Sequence, residues 1–144
     1  MEELMDAMKR YHATNFSFYL KLHFFHWNVE GMFFSQLHGF FSDLYNEVWA
    51  AQDNIAEHIR AIRGYAPGSL QRMKDLSQID DQVDVPNAQQ MIAIALADNE
   101  KVIQTISEAY KAAEMSGEIG LSNFLQDRID IHKKHGWMLR ATLK

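Results

Sequence analysis

The chain has 144 residues, a formal net charge of −5 and no cysteine. That length supports one core burying roughly two-thirds of the unfolded chain's surface, so a single domain over residues 1–144 is expected. Without cysteine there can be no disulfide and no thiolate metal site, and the negative charge argues against a surface built mainly for nucleic acid. No apolar stretch approaches the roughly 20 residues needed to span a bilayer. The opening MEELMDAMKRYH lacks the basic region, apolar run and cleavage site of a secretory signal, so a cytoplasmic location is expected.

Four helical runs follow from the punctuation: residues 2 to 29, 32 to 63, 87 to 115 and 118 to 142. Gly31 closes the first run, and a short turn leads into the second. In the second run Phe34, Leu37, Phe41, Leu44, Val48, Ala51, Ile55, Ile59 and Ile62 alternate steps of three and four, one apolar stripe meant for a core. Pro67 and Pro86, the only prolines, bracket a polar connection. Leu70, Met73, Leu76 and Ile79 recur every three residues inside it and predict a short extra helix. Asn87 and Gln90 form a capping pair at the head of the third run. Ala88, Ile92, Ala95, Val102, Ile106, Ala109 and Ala113 make its stripe, and Leu121, Leu125, Ile131, Met138 and Leu139 that of the fourth run, beyond Gly117. The expected fold is all-α: a four-helix bundle of two antiparallel hairpins joined by a long crossover, as in ferritin-like topologies.

The chemistry lies on the second run. His38, Trp49, Asp53 and Glu57 share an arc of about 100°, centred roughly 130° from the apolar stripe. A face that joins Trp49 and Tyr45 to a histidine and two carboxylates, yet points away from the core, suggests a subunit interface. Asp53 and Glu57 are one turn apart, a spacing suited to one cation. His38 and Asp53, however, are separated by about 22 Å along the helix, far beyond bonds near 2 Å. One subunit cannot close the site. An antiparallel two-fold mate can, bringing its Asp53 and Glu57 to His38, with two sites per dimer. His26 comes alongside His38 because the turn at Gly31 folds the first two helices together. Imidazole with carboxylate suits Fe(II), with zinc, cobalt and manganese as competitors.

His26-Trp27-Asn28-Val29-Glu30-Gly31, followed by Phe34, Leu37-His38, Tyr45 and Asp53-Asn54-Ile55-Ala56-Glu57, resembles the signature of the Dps miniferritins. The segment from His132 to Ala141 is similar to the end of their last helix. The resemblance implies a dodecameric homo-oligomeric shell with an iron-oxidising site at each dimer interface, His26 and His38 from one subunit and Asp53 and Glu57 from its mate. It also implies a ferroxidase that uses hydrogen peroxide or oxygen on Fe(II), stores ferric mineral in the cavity and protects against oxidative stress. Trp27 matches a tryptophan that relays electrons or absorbs radicals in relatives. Where the family often has an aspartate one turn after the second histidine, this chain has Ser42, with Asp43 beside it. Acidic pores of the family correspond here to Glu114 and Glu118, with Asn123 at a position where aspartate is common.

The bland readings are an interface salt bridge for His38 with Asp53 and Glu57, packing anchors for Trp27 and Trp49, and a structural role for His23. His132 and His135 read as pore, surface or packing residues, and Asp43 and Glu47 as a solvated face. A conventional ferritin with its di-iron centre inside the bundle needs Glu-x-x-His pairs, and none occurs. The remaining alternative is a structural shell that shields DNA with little iron oxidation. It has to rely on Lys9, Arg10, Lys133 and Lys134 rather than on a basic tail, so DNA binding is not expected to be strong.

Overall fold

The computed structural model describes residues 1–144 and consists of five helices: α1 Glu2–Asn28, α2 Phe34–Ala61, α3 Leu70–Leu76, α4 Ala88–Met115 and α5 Ile119–Leu143. The four long helices match the expected runs to within two residues at each end, and the short one falls inside the crossover. Glu2 and Glu3 sit in the first turn of α1, placed to complement the helix dipole. Gly31 supplies the left-handed residue of the α1–α2 turn, at φ +117°. At the head of α4, Asn87 and Gln90 exchange bonds as a full capping box.

The ends of α2 and α4 use the same device with different residues. Glu118 donates its amide back to Ala113 across Gly117 at φ +72°, while Gly64 donates to Ile59 across Arg63 at φ +78°. The second glycine stands one place late for that role. A Cβ at Gly64 would fall 2.1 Å from Met5 Sδ, so a side chain there requires the flexible end of Met5 on α1 to move aside.

Side-chain pairs fix the helix directions. His12 with Gln52 and His26 with His38 make α1 antiparallel to α2. Arg10 with Glu108 and Lys21 with Asp98 make it antiparallel to α4 as well. α2 and α4 therefore run parallel, which requires the 62–87 connection to travel the length of the bundle. His12 Nε2 donates to the Pro67 carbonyl at 2.7 Å and the Gln78 amide donates to Thr14 Oγ1 at 3.1 Å, tying that crossover to α1. α3 starts at Ser69, whose hydroxyl accepts the Arg72 amide.

One core of 26 buried residues runs through the bundle, with Phe41, Val48, Ile55 and Ile59 of α2 fully enclosed. One expected core position is corrected: Phe34 is exposed because it opens the first turn of α2 beyond the reach of the bundle. In the short helix α3 only Met73 points inward, leaving Leu70 exposed, with Ile79 buried just outside the helix. In α5 the inward row is Leu121, Leu125, Arg128, His132, His135 and Leu139, whereas Ile131 and Met138 lie at its half-buried edge.

Candidate metal centre

His26 lies in the last turn of α1, where the helix stops too early to give its carbonyl an amide partner. That carbonyl instead accepts from His38 Nδ1 at 2.8 Å, and the His38 carbonyl accepts from His26 Nδ1 at 2.7 Å. The two rings stack at 3.8 Å. Since a carbonyl can only accept, both Nδ1 atoms carry hydrogen, so the neutral form of each imidazole has its lone pair on Nε2. The sequence spacing thus produces two oriented imidazoles, locked by each other's backbone, with their Nε2 atoms uncommitted. This is the outer support that a metal-binding histidine needs.

Asp53 and Glu57 are elsewhere on the same chain. Both are exposed on α2, on the face that also exposes Trp49, and neither takes part in an ion pair. No three His, Asp or Glu side chains of the chain converge closely enough to hold a metal. The structure joins His26 to His38 and leaves the two carboxylates apart from them.

Aromatic rings surround the histidine pair. Phe34 stacks beside His38 at 4.9 Å, which is where the residue displaced from the core is used. Tyr45 sits edge-on to His26 at 5.2 Å and stacks on His23 at 3.8 Å. Trp27, 58% exposed, lies 4.1 Å from His23, and Tyr19 reaches Trp49 at 4.7 Å. Tyr19 Oη and His23 Nδ1 are 2.8 Å apart. Burial, and then the proximity of His26, lower the His23 pKa, while burial followed by Tyr45 raises that of Tyr19. His23 is therefore a structural partner of this shell.

A second polar group is buried in the bundle. Arg128 grips Glu47 through both Nη atoms, His135 Nε2 donates to Glu47 Oε1 at 2.7 Å, and Arg128 Nη2 donates to His132 Nε2 at 3.0 Å. His132 Nδ1 then donates to Asn99 Oδ1 at 2.9 Å. Burial first, and Arg128 next, push the His132 pKa well down, so it is neutral. Burial would raise the Glu47 carboxyl, but the bonds from His135 and Arg128 outweigh it and hold the pKa at about 2. The reading of Glu47 as part of a solvated face is amended here: its side chain is still 32% exposed, but it is the anion paired with the buried Arg128 and His135. Of the readings left open for His132 and His135, packing is the one realised. The spacing 121, 125, 128, 132, 135, 139 carried the signal, because it keeps one helical face through charged residues.

A parallel α2–α4 pair joined by a crossover defines the ferritin-like class of four-helix bundle. A profile of the ferritin-like domain matches residues 5–144. "DNA protection during starvation protein 2" of Bacillus anthracis is 30% identical over 142 residues, covering 99% of this chain and 97% of that protein. "General stress protein 20U" of Bacillus subtilis is 28% identical over 145 residues, covering 99% and 98%. Among solved structures, Dps from Staphylococcus aureus superposes with a TM-score of 0.95 at 27% identity, covering 100% and 97% of the two chains. Dps from Bacillus brevis superposes at 0.93 with 28% identity, covering 98% and 95%. The chain belongs to the Dps family of ferritin-like proteins.

Proposed function

We propose that this protein is a ferroxidase and iron store, oxidising Fe(II) at sites closed between two copies of the chain. The observation that carries the reading is the division of ligands. Two imidazoles are locked with Nε2 free beside the start of α2, and two unpaired carboxylates stand on its outer face, Asp53 about 22 Å and Glu57 about 28 Å further along. An antiparallel two-fold dimer sets His26 and His38 of one copy against Asp53 and Glu57 of the other, twice over. Twelve copies form the shell expected from the family, with the ferric product kept inside, in the cytoplasm.

Fe(II) is the substrate, and hydrogen peroxide the expected oxidant. Two Fe(II) give two electrons to one peroxide and leave two Fe(III) and two hydroxides, without releasing hydroxyl radical. The carboxylates favour the ferric product by charge, and the imidazoles set the geometry. Zinc competes for the same mixed donors. Trp27, against His23 and next in sequence to His26, is positioned to intercept stray oxidant.

Stopped-flow oxidation of anaerobically loaded Fe(II), started with peroxide or oxygen, tests the reading. His38→Ala and Asp53→Ala should each slow the reaction in shells that still assemble. Wild-type rates in both variants contradict it. A DNA-shielding shell without this chemistry would instead retard DNA at about 50 mM salt, where electrostatic binding is strongest, and leave Fe(II) unoxidised.

A further inference from the structure

We propose that Tyr19, hydrogen-bonded to His23, is a built-in one-electron donor to peroxide reacting at the His26–His38 half of the site. The inference rests on the ferroxidase reading and adds a redox group to it. A phenol yields an electron easily only if its proton can leave at the same moment, because the oxidised phenol is a strong acid. Tyr19 Oη and His23 Nδ1 are 2.8 Å apart, and with the imidazole hydrogen on Nε2 the phenol donates across that contact, which gives its proton a destination.

The path to the metal ligands is continuous. From His26 it passes to Tyr45 at 5.2 Å, and from Tyr45 to Tyr19 either directly at 6.0 Å or through the stacked His23 ring at 3.8 Å and then 5.5 Å. Plain packing would explain the ring contacts, but it does not require the only hydroxyl–imidazole pair in the shell to lie at the end of that path. The ligand set gives such a donor a purpose. Four side chains are few for two metals, and Ser42, one turn after His38, takes a bond from Asn46 and adds no charge. An iron bound alone leaves peroxide one electron short.

The step balances with peroxide as oxidant. Peroxide accepts one electron from Fe(II) and one from Tyr19, and its O–O bond breaks to give two hydroxides. Iron becomes Fe(III), the phenolic proton moves to His23 Nδ1, and Tyr19 is left as a neutral radical. A later Fe(II) returns the electron, itself becoming Fe(III), and His23 gives the proton back.

The test uses the assembled full-length protein, loaded anaerobically with one Fe(II) per subunit and mixed with one equivalent of peroxide. Freeze-quenched samples are read by electron paramagnetic resonance, alongside ferric absorbance and a spin trap for hydroxyl radical. The expected result is a tyrosyl signal that narrows when the chain carries ring-deuterated tyrosine. It should vanish in Tyr19→Phe, which keeps the ring and hence the packing, while ferric iron still forms and trapped hydroxyl radical increases. Tyr65→Phe, at an exposed tyrosine away from the path, should keep the signal. A signal insensitive to deuteration, a signal that survives in Tyr19→Phe, or iron oxidised with no radical at all overturns the proposal and leaves the ferroxidase reading standing. Failure of the unaltered protein to form ferric iron overturns both.

Discussion

Glu47, half-buried, shows how a charged residue can hold a buried network together and still be hard to recognise in a sequence. It stands two positions from Trp49 on a helix whose outward face is rich in polar groups, and only the partner row on α5 reveals its direction. Its folded pKa of about 2 lies below the ordinary 4.5, so its stabilising effect is present above about pH 4.5 and is lost as pH falls toward 2. Glu47→Gln should therefore lower the urea midpoint near neutral pH, and the gap to wild type should narrow steadily as pH falls from about 4.5 toward about 2. A gap that widens in acid contradicts the assignment. Lys21 and Asp98 form a more enclosed pair, 2.7 Å apart and each 6% exposed. Burial, followed by the bond from Lys21, sets the Asp98 pKa, with burial prevailing and the value raised. Lys21→Met strands that carboxylate and should cost about 3–5 kcal/mol in chemical unfolding, whereas adding Asp98→Leu should recover much of the loss. The histidines of the candidate site were legible because each precedes or follows the α1–α2 turn at matched distance. The Arg128 network was not, because charges inside a bundle defeat the rule that marks a core by apolar residues.

At the scale of elements, helix spans were readable to within two residues because breakers and caps sit where the backbone needs them. Asn87→Ala removes a capping box and should cost about 1 kcal/mol by thermal or urea unfolding. Arg63 is the exception, a side chain in the left-handed place that glycine fills after α4. Arg63→Gly should raise stability by about 0.5 kcal/mol, the relief of the strained φ exceeding the added freedom of the unfolded chain. An unchanged or lower midpoint would show that the strain is absorbed elsewhere. The short helix was foreseen from Leu70, Met73, Leu76 and Ile79, yet that three-residue beat overstated its buried side. A seven-residue helix lying against α1 needs only one deep contact, and the cap at Ser69 does the rest.

For the whole molecule, the fold was legible, and of the candidate site only the histidine pair comes together within one chain. Stripes and turns specify how four helices pack within a chain, but no pattern in one chain fixes the partner across an axis. The outward face of α2 carries the clue, with Trp49 half exposed between His38 and the two carboxylates. Trp49→Asp puts an unpaired charge into that seam and should shift sedimentation profiles toward smaller species, while a profile like wild type would place the seam elsewhere. The most direct test of the divided site is complementation between chains. Shells made only of His26→Ala/His38→Ala subunits, and shells made only of Asp53→Ala/Glu57→Ala subunits, should both oxidise Fe(II) slowly. Co-assembled in equal amounts, half of the dimers are mixed and each mixed dimer has one intact site, so about a quarter of the wild-type rate should return. A mixture as slow as its parents would contradict a site shared across the two-fold axis.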